Sequence, residues 1–396
     1  MRFNIQRLRQ WITPASSYLG IEFTDSAVKL AELTIKQGAP ALLTSCIQEP
    51  LPKHAVQDGK MLEPQEVVRA LQTAKARLKK QTKRAHICLP SQNVMVRFMK
   101  FPDIPLKELR EVITFEMKHT IHLPFEDPVF DFVKLTGTHN QRSSAKTWKR
   151  EPKANKPGAL AAKEAAAASY PLFGGENHDP FADLAKTDAA EEQLCDVMLV
   201  AVPRAMVEEY VEVFKQAGIK LASVEIKALS LFRCLQTLPE QPQGTYLLID
   251  VNDTICDVNV FSGTQLKISR NVQVAFADLE QTKEASDDSF SWLSDMSDLE
   301  GSSFTNACSE LAHELERLIN FYKYTLNNRN EEFLKLYIAG DAKRLNEIAE
   351  YLQDRLSLNV IKLDVQAEWG SSPTMKGISS AAFAATIGLA LRGAET

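Results

Sequence analysis

The sequence has no CxxC pair and no Cys/His spacing suited to zinc. Its six cysteines are scattered, most in apolar stretches such as HICLP around Cys88. That usage suggests reduced thiols in a cytosolic compartment rather than a disulfide framework. Long apolar runs are missing too. The longest uncharged stretch, Gly377 to Leu391, is too short to cross ~30 Å of hydrocarbon. The N-terminus has neither an unbroken apolar core nor a small-residue cleavage site, so a secretory signal is not expected. Nor do cations predominate. Lys and Arg number 46 against 51 Asp and Glu, a net charge of -5, which argues against a general nucleic-acid binder. What remains is a soluble globular composition, 44% hydrophobic and 24% charged. Its 396 residues suggest two domains or one bilobal fold.

Residues 1–16 combine Met1, Phe3, Ile5, Leu8, Trp11 and Ile12 with Arg2, Arg7 and Arg9 before Pro14. Two readings stand: a short amphipathic helix touching anionic lipid, or a helix packed on its own domain. Residues 18–36 read as two strands around a turn at Thr24-Asp25-Ser26. A third strand follows at 41–48, then a helix opened by Pro64 and a buried strand at 86–89. Lys75, Arg77, Lys79, Lys80, Lys83 and Arg84 form a basic run read as a solvated helix end. From Asn93 to Phe101 the pattern alternates, and Leu106, Leu109, Ile113 and Met117 then share a helical face. His119 and His122 lack a third ligand nearby and read as surface histidines.

Residues 137–194 differ in composition. They are basic at first and acidic at the end, without apolar periodicity, and read as a disordered, charge-segregated insertion. Strand and helix alternate again from 196 to 235. A second lobe opens at Tyr246 with three strands turning at Asn252-Asp253-Thr254 and Ser262-Gly263. An acidic loop at 278–300 precedes a long amphipathic helix, and the chain closes on a helix of small residues suited to close packing.

One unit occurs twice. A strand with an acid near its end, a hydroxyl-bearing turn and a returning strand appear at Glu22–Lys29 and at Asp250–Asp257. Together with the order and spacing of GIEFTDSAVKLAEL, RAHICLPSQNVMVRFMKFPDIPLKEL, EVITFEMKHTIHLPFEDPVFDF, LLIDVNDTICDVNVF and IGLALRG, this pattern resembles the PilM family. Its members are actin-like, FtsA-related cytoplasmic components of type IV pilus assembly. The resemblance implies an α/β, actin-like ATPase fold: bilobal, with ribonuclease H-like subdomains and an inserted FtsA-type 1C subdomain. It places the first lobe at 17–90, the insertion at 91–224 interrupted by 137–194, and a return at 225–243. The second lobe would cover 244–375, and the helix of 376–396 would pack back on the first lobe.

The same resemblance implies a nucleotide cleft formed by Glu22, Thr24, Asp25, Ser26 and Lys29, by Asp250, Asn252, Asp253 and Thr254, and by Gly340, Asp341 and Ala342. In such clefts the acids position Mg²⁺ through water, and glycines let backbone N–H groups approach phosphate. This chain departs from the pattern. Glu22 replaces Asp, Thr24 and Asn252 stand where the family has glycine, and Asp341 stands in the glycine loop at the nucleoside. A β-branched Thr24 is a poor residue for positive φ. Binding of ATP with Mg²⁺ is therefore expected to be weak or absent, and no catalytic residue or metal site of its own is assigned.

The expected function is a scaffold on the cytoplasmic side of the inner membrane. It would clasp the N-terminal tail of a PilN-like bitopic protein in a groove between the first lobe and the insertion, alongside other pilus components. Self-association remains open, and no nucleic-acid partner is expected. Alternation on the 93–101 strand assigns Met95, Arg97 and Met99 to the groove. The alternative is an actin-like ATP-binding protein whose nucleotide state regulates assembly. An FtsA-like membrane polymer is disfavoured, because the sequence ends at ALRGAET without an amphipathic anchor.

Overall fold

The computed structural model describes residues 16–35, 41–80, 82, 84–136, 194–274, 276, 297–364 and 379–395. The readings for 1–15, for 137–193 and for most of 278–300 lie outside these residues. The backbone of 297–300 already belongs to a helix.

Two five-stranded sheets share one strand order. In the first, β1 (Ser16–Phe23) pairs antiparallel with β2 (Ala27–Ile35), and β2 with β3 (Leu42–Pro50). The short β4 (Val56–Gln57) and β5 (Lys60–Met61) form a separate ribbon. On the far side of β1 run β6 (Arg84–Leu89) and then β10 (Lys220–Ile226), both parallel. The second sheet repeats this as β13 (Gln265–Gln273), β12 (Ile255–Ser262), β11 (Thr245–Val251), β14 (Phe333–Ala339) and β15 (Asn359–Lys362). An antiparallel three-strand meander extended by two parallel crossovers, seen twice, is the bilobal actin-like fold expected from the sequence.

Between β6 and β10 the chain builds a third layer. It holds β7 (Met95–Pro102), β8 (Pro128–Lys134) and β9 (Leu194–Pro203), in the order β7-β9-β8. Helix α2 (Leu106–His119) covers one face, burying Leu109, Ile113 and Met117 on Phe101, Val197, Leu199 and Ala201.

Helix α1 (Pro64–Ala76) lies on the first sheet together with α3 (Arg204–Gln216). The apolar stripe of α3, Met206, Tyr210, Val213 and Phe214, enters the first-lobe core. Phe23 meets the Tyr210 and Phe214 rings edge-on at 5.4 and 5.7 Å. Packing and pairing thus divide the chain differently from the expected 91–224 insertion: α3 and β10 belong to the first lobe.

The second sheet is backed by α5 (Ser297–Asn320) and α6 (Leu345–Leu356). Between the lobes lie α4 (Lys227–Leu235) and α7 (Ala384–Glu395), in a core shared by β2, β3, β11 and β14. The last helix therefore returns to the first lobe. Among the described residues no helix is long and apolar enough to cross a membrane.

Candidate functional site

The two hairpins predicted to form the cleft are structural equivalents. Register sets Glu22 opposite Lys29 in the first and Asp250 opposite Asp257 in the second. Their turns close alike: Thr24 N donates to the Ala27 carbonyl at 2.9 Å and Asn252 N to the Ile255 carbonyl at 3.0 Å. Neither residue sits at positive φ. The misfit expected of Thr24 does not arise, because its hydroxyl caps the turn by accepting Ala27 N at 3.1 Å. Asn252 turns its amide back onto Asp250 Oδ2 at 2.8 Å.

Facing each other, the hairpins collect four acids around two lysines. Lys227, the first residue of α4, places Nζ 2.8 Å from Glu22, 3.0 Å from Asp250 and 2.9 Å from Asp257. Lys29 Nζ lies 2.7 Å from Asp341, just beyond β14. Glu22, Lys29, Lys227, Asp250 and Asp257 are all buried. Burial works hardest against charge on Lys227, yet Asp250, Asp257 and Glu22 together hold its ammonium well above the usual lysine range. At Asp250, burial is outweighed by Lys227, Lys29 and the Asn252 bond, so its carboxyl is held below the ordinary value. At Glu22 burial prevails over both lysines, and its carboxyl is raised.

The cluster therefore contains Glu22, Lys29, Asp250, Asn252 and Asp341 of the expected set. Other members serve their own surroundings. Asp25 accepts the Asp58 and Gly59 amides at 3.1 and 3.3 Å, and the Ser26 carbonyl accepts Leu51 N at 2.8 Å. The Asp253 and Thr254 carbonyls accept Phe276 N and Val274 N. Lys227 was not anticipated. Its signal was a lysine at the start of the apolar helix KALSLFRCL, where a cation opposes the helix dipole.

Whether these residues suit a magnesium nucleotide can be tested on the backbone donors of the loops. Gly340 is held at φ 121°, and a Cβ there would lie 2.0 Å from the Val251 carbonyl oxygen. Its N–H donates to Ala381 at 3.1 Å, and Ala342 N donates to Val251 at 3.1 Å. The amides of Thr24, Asn252, Gly340 and Ala342 are thus all satisfied within the protein. Among the described residues no group of His, Cys, Asp and Glu is placed to hold a metal ion. The arrangement does not fit the group the fold implies.

A second feature is a groove of about 1010 Å³ between the first lobe and the three-stranded layer. All seven residues of β10 line one wall, and Val129 to Val133 of β8 line the other. Consecutive residues on both faces of each strand mean that the groove runs along the two sheet edges, since β10 pairs with β6 and β8 with β9. Its floor includes Val94, Met198, Val200, Val207 and Leu229, and Arg84, Lys215, Lys220 and Arg392 also line it.

The assignment of Met95, Arg97 and Met99 to the groove is corrected by this geometry. Met95 and Met99 pack toward α2, beside Val197, Leu199 and Ala201, and Arg97 donates to the His122 carbonyl at 2.8 Å. The other face of β7, with Val94, turns to the body. Apolar side chains stand on both faces of β7, so alternation alone could not name the groove side.

Residues 20–147 match the family model described as type IV pilus assembly protein PilM. No curated protein matches the chain. Among solved structures, a PilM-PilN type IV pilus biogenesis complex superposes with a TM-score of 0.70 at 20% identity, over 97% of this chain and 100% of that one. More remote are the ethanolamine utilization protein EutJ from Carboxydothermus hydrogenoformans and MreB5 of Spiroplasma citri bound to ADP. EutJ gives a TM-score of 0.45 at 10% identity over 96% of this chain and 90% of its own. MreB5 gives 0.43 at 10% over 94% and 95%. The resemblance to the PilM family read from the sequence is borne out by the family match and by the shared fold.

Proposed function

We propose that this PilM-type actin-like chain is a scaffold of type IV pilus assembly at the cytoplasmic face of the inner membrane. Its partner is the N-terminal tail of a PilN-like bitopic protein. The observation that carries this reading is the groove between β10 and β8. Two sheet edges, unpaired among the described residues, offer backbone donors and acceptors to an extended peptide, and the valine-rich floor offers side-chain sites at alternate positions. The superposed relative is itself a PilM-PilN complex.

Nucleotide plays at most a weakened part in this reading. The loops that would bind it direct their amides inward, and Asp341 is engaged by Lys29. Titration of a labelled PilN-type tail peptide into the purified chain tests the proposal. Saturable, stoichiometric binding is expected. A tail that fails to bind, while the chain remains folded, sinks the scaffold reading in this form.

A further inference from the structure

The disagreement between the cleft and the cation its fold implies has a definite cause. Lys227 Nζ contacts one carboxylate from the first lobe, Glu22, and two from the second, Asp250 and Asp257, at 2.8 to 3.0 Å. The Asp250 contact is also a hydrogen bond, and Glu22 and Asp257 face the same ammonium as ion pairs. Magnesium, with the waters it keeps, would need the space between these carboxylates that the ammonium already fills.

The surroundings fix the cage. Asn271 Nδ2 donates to Asp257 Oδ1 at 2.5 Å, Ser91 Oγ donates to the same oxygen, and Asn252 holds Asp250. Glu22 Oε1 and Asp257 Oδ2 are buried and, among the described residues, have no hydrogen-bond partner; the Lys227 ammonium faces both at ion-pair distance. The cavity that reaches Lys227 and Asp257 is about 20 Å³, room for one water. A lysine at the N-terminus of a helix is locally unfavourable, and only the three carboxylates explain its place there.

We propose that Lys227 is a resident cation that takes the place of a divalent ion between the lobes, so that the cleft closes without metal or nucleotide. The side chain reaches the cluster from α4, the helix packed between both lobes, and joins Glu22 on β1 to Asp250 and Asp257 on β11 and β12. Closure is therefore a permanent property of the chain, not a state set by a ligand. In the terms of the scaffold reading, the groove beside β10 is held ready at all times.

The test is thermal unfolding of the full chain in EDTA, in millimolar Mg²⁺, and in millimolar Mg²⁺ with ATP. The unmodified protein should show one midpoint, unchanged within about 1 °C, because nothing binds the native state preferentially. Lys227→Met should lower the midpoint in EDTA by about 5–10 °C, since it leaves buried carboxylates unpaired. Millimolar Mn²⁺ or Mg²⁺ should restore part of that loss. A rise of several degrees with Mg²⁺ and ATP in the unmodified protein overturns the proposal. So does a Lys227→Met variant as stable as the parent. If that variant does not fold, the unmodified protein's response to Mg²⁺ and ATP decides alone. No arm of the test uses the tail peptide, so failure of the scaffold reading would be seen separately.

Discussion

Lys29 and Asp341 meet at 2.7 Å across the cleft, one from β2 of the first lobe's hairpin and the other just past β14 of the second. The lysine is 1% exposed, and Glu22 and Asp250 also act on its charge. Truncating it would leave several acids short of a cation in a dry site. Lys29→Ala should cost about 3–5 kcal/mol in denaturant unfolding. The apolar pair Lys29→Met with Asp341→Leu should cost clearly less, because no charge is then left unpartnered. Equal losses in the single and double variants would show that packing, not charge, holds this contact.

The closing helix allows a sharper test of packing. At Gly388 of α7 a Cβ would lie 1.8 Å from the Ser230 carbonyl oxygen of α4. The obstacle is backbone, which cannot rotate away as a side chain could. Gly388→Ala should therefore push the two helices apart and cost at least about 3 kcal/mol, above the usual range for overpacking. Ala390→Gly, in the same helix, should cost about 1 kcal/mol through helix propensity and about 0.8 kcal/mol more for its buried methyl, still less than Gly388→Ala. A Gly388→Ala protein with the parent's unfolding midpoint would mean that α7 is not docked as described.

How much of this was legible beforehand differs between fold and site. The repeated hairpin showed because its strands are apolar runs broken by Thr24-Asp25-Ser26 and Asn252-Asp253-Thr254, a pattern local to each segment. The helix stripe of α2 showed for the same reason. Lys227 did not, because nothing within VEIKALSLF reveals that Glu22 and Asp257, more than 200 residues and 30 residues away in the chain, point at it. The groove face of β7 was misassigned because Arg97, set between methionines, looked out of place in a core. In the fold its guanidinium reaches past α2 to the His122 carbonyl and stays exposed. The membership of α3 and β10 in the first lobe was hidden by their order in the chain.

A pH dependence follows from His86, which faces Ser223 Oγ at 2.8 Å beside Arg392, Glu225, Arg84 and Arg233. Burial, and then the Arg392 charge, push its pKa down to about 4. The folded state thus holds fewer protons on this ring than the unfolded chain, whose histidine titrates near 6.5. The stabilising neutral ring is fully present above pH 6.5, and its contribution is lost as pH falls from 6.5 toward 4. His86→Gln should flatten the pH dependence of the unfolding midpoint within that window. The parent-minus-variant difference is the quantity to plot, since carboxylates titrate in both. A difference independent of pH between 4 and 6.5 would show that folding does not lower the ring's pKa.

The groove yields the prediction closest to function. Val211 of α3 and Val133 of β8 both line it and are 46% and 49% exposed, so neither is needed to fill a core. An acid at either place should leave stability within about 0.5 kcal/mol of the parent, as surface changes usually do. Inside the groove the same acid would be buried by an arriving apolar tail, with an expected cost to binding of about 1–3 kcal/mol. Val211→Glu and Val133→Glu should therefore weaken the tail peptide ten-fold or more while their unfolding midpoints stay put. Arg97→Glu provides the contrast. It lies on the α2 side of β7, bonded to His122, and should leave affinity unchanged although it reverses a charge. If Arg97→Glu abolished binding and both valine variants bound normally, the tail would lie on the α2 side and the two sheet edges would be free of it.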